Sequence, residues 1–341
     1  MAEVQDNYFI PSSYSRIIAR ELGLQERQLA TLLLGTGLSS SILMPGDETR
    51  LSGRQQLQVL DNGRRMSASP DFGLRLGRQL HPSAHGPLGY LVLSSPNLLA
   101  ALESLRDFLP TRLPLIELEL AMEGDWLRCS LKLKVAANSD ERRILNECFA
   151  LVIQSFVESM LGRELSSARI ELTHERPQYH RLYDNYLHSP VQFSCSSNSF
   201  LVAAELAGVS NASGDPGSYA LAYELCQKLL VQVPASVLST SARVRRLLLS
   251  QTPSSVSEAD VASAMFISKR TLARRLDAEG SSYRAIREQL LSDLAARHLC
   301  ESGLTVEAVS ALLGYNDTAA FRKAFRRWYG ESPTSFRQRS Q

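Results

Sequence analysis

Near the middle of the chain the apolar positions change rhythm. Leu115-Ile116-Glu117-Leu118-Glu119-Leu120-Ala121-Met122 and Trp126-Leu127-Arg128-Cys129-Ser130-Leu131-Lys132-Leu133-Lys134-Val135 alternate apolar and polar residues. That period of two places every second side chain on one face of a strand. Glu123-Gly124-Asp125 between them predicts a hairpin turn, and Ala168-Arg169-Ile170-Glu171-Leu172-Thr173 predicts a further strand. On either side of the hairpin the apolar residues recur every three or four positions instead. Leu91 to Leu109, once past Pro96, and Ile144 to Leu161 therefore read as amphipathic helices. Arg27 to Leu34 is also patterned as helix. This part of the chain is α+β.

The run Gly208-Val209-Ser210-Asn211-Ala212-Ser213-Gly214-Asp215-Pro216-Gly217 interrupts both rhythms, because these residue types favour turns. Beyond it no strand pattern recurs. Helices are expected over Tyr219 to Val231 and Val237 to Leu249, followed by a short Ser/Thr/Pro/Gln stretch, Ser250 to Ser255. The expected organisation is an α+β domain over residues 1–210, a linker and connecting helix over 211–235, and an all-α domain over 236–341.

Within the last domain one pattern occurs twice. Ser257 is placed to cap a short helix, Glu258 to Ala264; Met265-Phe266-Ile267 interrupts it, and Ser268 is placed to cap a second helix running to about Ala278. Two short helices joined by a tight turn form a helix-turn-helix unit. Leu272 and Leu276, four apart, turn inward and leave Arg270, Thr271, Arg274 and Arg275 toward solvent. Further on, Thr305 begins a helix from Val306 to Leu313, Gly314-Tyr315-Asn316 turns, and Asp317 begins a helix from Thr318 to Tyr329. Its buried stripe is Phe321, Ala324, Phe325 and Trp328; Thr318, Ala319, Arg322, Lys323, Arg326 and Arg327 are left mostly outside. Tyr283 to about Ser302 joins the two units as one helix of roughly 20 residues, about 30 Å long at 1.5 Å per residue. That length is close to the ~34 Å turn of B-form DNA, so a stiff connector would set two reading helices in successive major grooves.

Charge follows the same division. From Ala235 to the end there are 16 Lys and Arg against 10 Asp and Glu, a net of +6, whereas the remaining 21 against 25 give residues 1–234 a net of −4. Between Thr318 and Arg339 six residues are basic and one acidic. A surface of one sign repels itself unless phosphate relieves it, and arginines on an exposed helix face are suited to guanine O6 and N7 in a major groove.

The run Ser268-Lys269-Arg270-Thr271-Leu272-Ala273-Arg274-Arg275-Leu276, then Gly280 and Tyr283, then Leu313-Gly314-Tyr315-Asn316-Asp317 with Phe321, Ala324, Phe325, Trp328, Gly330, Pro333 and Arg337, resembles the AraC/XylS family of transcription regulators over about 80 residues. The resemblance implies base contacts from Arg270, Thr271, Ala273 and Arg274 in the first unit and from Thr318, Ala319, Arg322 and Lys323 in the second. The alanines offer only apolar contact, for instance to a thymine methyl. Ser268, Arg275, Asn316, Arg326, Arg327 and Arg337 are then phosphate candidates. Upstream, Asp71-Phe72-Gly73-Leu74-Arg75-Leu76-Gly77, His85-Gly86-Pro87-Leu88-Gly89-Tyr90, and Val191-Gln192-Phe193 with Asn198 resemble the arabinose-binding-like effector domain of one branch of that family, over roughly Ala30 to Leu206. That label is not itself a sign of a sugar ligand.

The function expected is a sequence-specific regulator, and an activator of transcription, whose first domain senses a small-molecule effector and dimerises. Its partners would be promoter or operator DNA, the effector, RNA polymerase and a second copy, and its place the cytoplasm, on the nucleoid. The alternative is a first domain that takes no ligand and serves only for dimerisation or partner binding. Catalysis is not expected, since no G-x-S-x-G, H-E-x-x-H or Walker loop occurs. Cofactors are not expected either: Gly35-Thr36-Gly37-Leu38-Ser39-Ser40 follows a helical rather than a strand pattern and reads as a turn. His81 and His85 lack a third metal ligand nearby, and Cys129, Cys148, Cys195, Cys226 and Cys300 are scattered with no C-x-x-C pair, so no metal is expected and the thiols read as reduced. A composition of 44% hydrophobic and 21% charged residues, without a run of roughly 18 uninterrupted apolar residues, is globular, and no membrane span is expected. Gly73, Gly77, Gly86 and Gly89 are expected to permit tight turns or close backbone packing.

Overall fold

The computed structural model describes residues 9–234, 238–249, 256–301, 304–315 and 317–340. Its contacts divide the chain into two units, Met1–Ser213 and Gly214–Gln341.

The first unit begins with β1 (Ile10–Pro11), α1 (Ser13–Glu21), α2 (Glu26–Leu32), β2 (Arg50–Leu51) and α3 (Gly53–Met66). It continues with α4 (Phe72–Gln79), α5 (Pro87–Ser94), α6 (Leu98–Phe108), β3 (Ile116–Glu123), β4 (Trp126–Leu133) and α7 (Ser139–Leu161). It closes with β5 (Arg169–Glu171), β6 (Val191–Gln192) and β7 (Asn198–Ala203). β1 and β2 form a small antiparallel pair; the other strands form one sheet in the order β3-β4-β7-β5-β6, parallel only between β5 and β6.

The alternating segments become β3 and β4. Leu118 lies opposite Leu131 and Leu120 opposite Cys129, while Glu119 and Lys132 form an ion pair. Glu123 faces Trp126 across a two-residue turn in which Gly124 takes a φ of 57°, a conformation open to glycine at little cost. Alternation does not announce β7, because this strand lies between two others and Ser199, Phe200, Leu201 and Val202 are all buried. α7 starts five residues before the apolar stripe: the Asn138 side chain accepts from the Glu141 backbone N–H and the Glu141 carboxylate accepts from the Asn138 backbone N–H, a capping box.

α7 is long and apolar enough to cross a membrane, yet two thirds of that stretch is buried within the domain. α4 crosses it at Gly73 and Gly77, where a Cβ would stand 3.0 Å from the Cα of Ile144 and of Cys148 respectively. The closeness of the two helices depends on those missing side chains, as the glycine pattern implies.

Opposite Gly73, Glu147 of α7 is fully buried and accepts hydrogen bonds from Tyr179 (2.7 Å) and Tyr183 (2.5 Å). Burial raises its carboxyl from 4.5 to about 7, against the two hydroxyl bonds and the Arg143 charge. Between pH 4.5 and 7 the folded state therefore holds a proton that the unfolded chain has released, so this group's contribution to stability falls as pH rises through that window. Glu147→Gln keeps an acceptor for the tyrosines and removes the charge. Urea denaturation at pH 5 and pH 8 should find the variant relatively more stable at pH 8; an equal loss at both would mean that the carboxyl does not titrate in this range.

The second unit is helical among its described residues: α8 (Pro216–Gln232), α9 (Thr240–Leu249), α10 (Glu258–Ala264), α11 (Lys269–Ala278), α12 (Tyr283–Glu301), α13 (Val306–Leu312), α14 (Thr318–Tyr329) and α15 (Pro333–Ser340). The segment 211–235, expected as a linker and connecting helix, is divided between the two units. Asn211 is bonded to the carbonyls of Leu93 and Ser95 in the first unit, whereas α8, capped by Asp215, packs against α12 and α9 in the second. α9 begins at Thr240 rather than Val237: Ser239 and the Glu279 carboxylate receive its first backbone N–H groups, and 235–237 lie outside the described residues.

Candidate nucleic-acid interface

Both helix-turn-helix units begin as their caps predict. Ser257 and Asp260 form a capping box on α10, Ser268 accepts from Thr271 N (3.1 Å) on α11, and Thr305 and Asp317 accept at the starts of α13 and α14. Each unit has its own core. Val244, Leu248, Val261, Leu272, Leu276, Ile286 and Leu290 close around the first. Leu291, Ala295, Leu299, Val309, Leu313, Phe321, Phe325 and Phe336 close around the second. α12 supplies both: its first half ends in one core, its second half in the other, and Leu294 packs against each. A continuous helix of 19 residues, about 28 Å at the usual rise, thus ties two reading units into one body.

On α11, Arg270, Ala273, Arg274 and Arg275 are exposed, and Leu272 and Leu276 below them are fully buried. Thr271 is only half-exposed, with its hydroxyl 2.9 Å from Ser268 Oγ. Those two side chains hold the start of the helix, which limits what either can offer a base or phosphate. On α14, Phe321, Ala324 and Phe325 are buried, Ala319, Arg322, Lys323, Arg326 and Arg327 exposed, and Thr318 half-buried. Trp328 is half-buried rather than core, at the rim of the aromatic cluster. Arg322 pairs with Glu307 at 3.1 Å and Arg327 with Glu288 at 3.0 Å. Both pairs are solvent-exposed, so they are weak and a phosphate can replace the carboxylate.

Arg337, expected as a phosphate candidate, is also tied to the backbone. It donates from Nε to the Leu299 carbonyl at 2.9 Å and from Nη2 to the Leu304 carbonyl, fastening the end of α12 to the approach of α13. Arg337 is half-buried, and these two bonds give its guanidinium a scaffolding role. Asn316 lies outside the described residues.

Phe266 is a residue that periodicity passed over. It sits in the turn of the first unit, two positions before the cap of α11, with a φ of 56° and its side chain 95% exposed. The left-handed conformation costs a residue with a Cβ about 1–2 kcal/mol. Three apolar residues in a row at a turn, Met265-Phe266-Ile267, were the available signal.

Comparison with known proteins sets this geometry in a family. Residues 27–210 match the arabinose-binding domain at the N-terminus of AraC transcription regulators, and residues 261–339 match a helix-turn-helix domain. The chain belongs to the AraC family. Like its family, this regulator binds DNA and is not an enzyme. It is 28% identical over 293 residues, 85% of each chain, to the ornithine utilization regulator of Pseudomonas aeruginosa. It is 26% identical over 270 residues to the transcriptional regulator VirS of Mycobacterium tuberculosis, covering 79% of this chain and 78% of VirS. The urease operon transcriptional activator of Escherichia coli is 35% identical over 81 residues, 24% of this chain and 27% of that protein. Among solved structures, the transcriptional regulator CdpR of Pseudomonas aeruginosa aligns over 92% of this chain and 99% of its own, at 24% identity and a TM-score of 0.45.

Proposed function

We propose that this AraC-family regulator reads two sub-sites of a promoter or operator, with α11 and α14 in successive major grooves, and that a small-molecule effector on the first domain controls that reading. The observation that carries the DNA arrangement is α12, shared by both cores. Arg270, Ala273 and Arg274 on α11 meet base edges, with Ala319, Arg322 and Lys323 on α14; Arg275, Arg326 and Arg327 meet phosphates. Phe266 adds an apolar contact beside the first reading helix.

In the same reading the regulator works as a homodimer on the cytoplasmic nucleoid and activates transcription through RNA polymerase. Leu221 and Leu225, one turn apart on α8 and both exposed, support a dimer seam; Leu230, by contrast, is buried. Relatives named as activators, such as the urease operon protein, support the direction of control. An effector acts only through unequal affinity for the conformers that bind DNA well and poorly.

Two substitutions separate the roles. Arg274→Ala should cost about 1–3 kcal/mol on the specific site and relax preference at one base pair. Arg326→Ala should weaken specific and random duplexes alike and flatten the salt dependence by about one phosphate contact. Fluorescence anisotropy over a salt series on both duplexes reads these effects; equal loss on both for Arg274→Ala reassigns it to phosphate.

A further inference from the structure

The first domain contains a cavity of about 530 Å³ whose walls include Arg16, Arg20 and Arg112 with Ser13, His81 and Ser83. That volume lies within the range of small-molecule sites. No Asp or Glu among the described residues lines it. Among the described residues, no carboxylate lies within ion-pair distance of the three guanidinium groups, whereas in the same domain Arg75 is paired with Glu21 and Arg64 and Arg65 with Asp61. Asp47, whose carboxyl is held low chiefly by the Thr49 backbone N–H and only in small part by Arg16, keeps its carboxylate on Thr49.

The arginines are held in place by neutral partners. Arg16 Nη1 donates to Ser12 Oγ and to the carbonyls of Ile42 and Asp47, at 2.8–3.1 Å. Arg112 donates to Ser13 Oγ at 3.3 Å and stands over the Tyr14 ring, 5.5 Å from its centre, while its buried Nε has no hydrogen-bond partner. Its guanidinium lies against Gly86, where a Cβ would come within 3.5 Å and where φ is +58°. Gly86 also precedes α5, adding the positive end of a helix to the rim. Behind this wall His85 is buried, bonded through Nδ1 to Tyr14 at 2.9 Å, and burial together with the Arg112 charge pushes it down to about 4. The ring therefore stays neutral and does not add to the repulsion. Held cations of one sign around a small-molecule cavity lack only their counter-charge.

Resting on the reading of the first domain as an effector sensor, we infer that this cavity is the effector site and that the effector is a small anion, carrying a carboxylate or phosphate group that the arginines grip. Arg112 is the central contact, Arg20 the gripping residue at the exposed edge, and Arg16 the fixed charge behind them.

Isothermal titration of the full chain with citrate and with inorganic phosphate, at ionic strength held constant with sodium chloride, tests this and separates the two anion classes. At least one should bind wild-type protein, and Arg112→Gln and Arg20→Gln should each weaken it about tenfold or more. Arg20 is exposed, with a single long bond to Gln79, so its variant keeps the test decisive should Arg112→Gln fail to fold. Absence of heat from both anions, or an affinity indifferent to both substitutions, overturns the site. Operator binding measured alongside distinguishes the underlying reading: anions that bind through these arginines but leave DNA affinity unchanged uphold the anion site and overturn effector control. A neutral or cationic compound that shifts DNA affinity equally in wild type and variants upholds effector control and overturns this site.

Discussion

Phe325→Ala is expected to destabilise the second domain by about 3–5 kcal/mol, which is much of the stability of a domain of this size. Phe325 is fully buried on α14, and its ring meets those of Phe321, Trp328, Tyr329 and Phe336 at centroid distances of 4.7–6.4 Å. Truncation removes the centre of that cluster, and rigid neighbours on α12, α13 and α15 would fill the cavity poorly. The chain has two tryptophans, Trp126 in the first unit and Trp328 in the second, so single-tryptophan backgrounds follow the domains separately. Urea titration should move the Trp328 transition to much lower denaturant and leave the Trp126 transition in place. A shift under 1 kcal/mol would mean that the second core does not depend on this ring.

Gly89→Ala should have an effect of similar size in the other domain. A Cβ at Gly89, within α5, would stand 1.7 Å from the backbone oxygen of Pro82 and 3.4 Å from the Cβ of His85. Because the obstruction is main chain, no rotamer change relieves it; the 82–85 turn must move off α5, at about 3 kcal/mol or more. Gly73→Ala should cost less, since its nearest obstruction, at 1.9 Å, is the carboxylate end of Glu147. The Trp126 transition reports both, and Gly89→Ala should also displace Ser83 and Gly86 at the arginine-lined cavity. Wild-type stability for Gly89→Ala would contradict the close packing of this turn.

Legibility from sequence differed between the two domains for physical reasons. Helix caps are local, so Ser257, Ser268, Thr305 and Asp317 announce their helices within one turn, and the spacing of Leu272 and Leu276 states which side is inward. The β3–β4 hairpin was equally plain, because one face is buried and the other carries charge. β7 was not, since it is covered on both faces. α4 and α5 were also obscure: glycines open to either tight turns or close packing sit inside helices at Gly73, Gly77 and Gly89, and which neighbouring backbone they admit is seen only in the fold. The backbone bonds of Arg337 were hidden for a related reason. A basic residue near a basic helix reads as a phosphate contact, and only the fold reveals that two carbonyls claim its donors. The three arginines of the cavity come from positions 16, 20 and 112, a grouping that no local pattern contains.

The most direct test of the account uses a duplex selected by the full-length regulator from a random pool, then rebuilt with 5 or 10 base pairs inserted between its two sub-sites. A rigid α12 fixes the distance as well as the rotation between the reading helices, so both insertions should reduce affinity by about 100-fold or more, toward that of a single sub-site. Undiminished binding to either duplex would contradict a stiff spine carrying two reading heads.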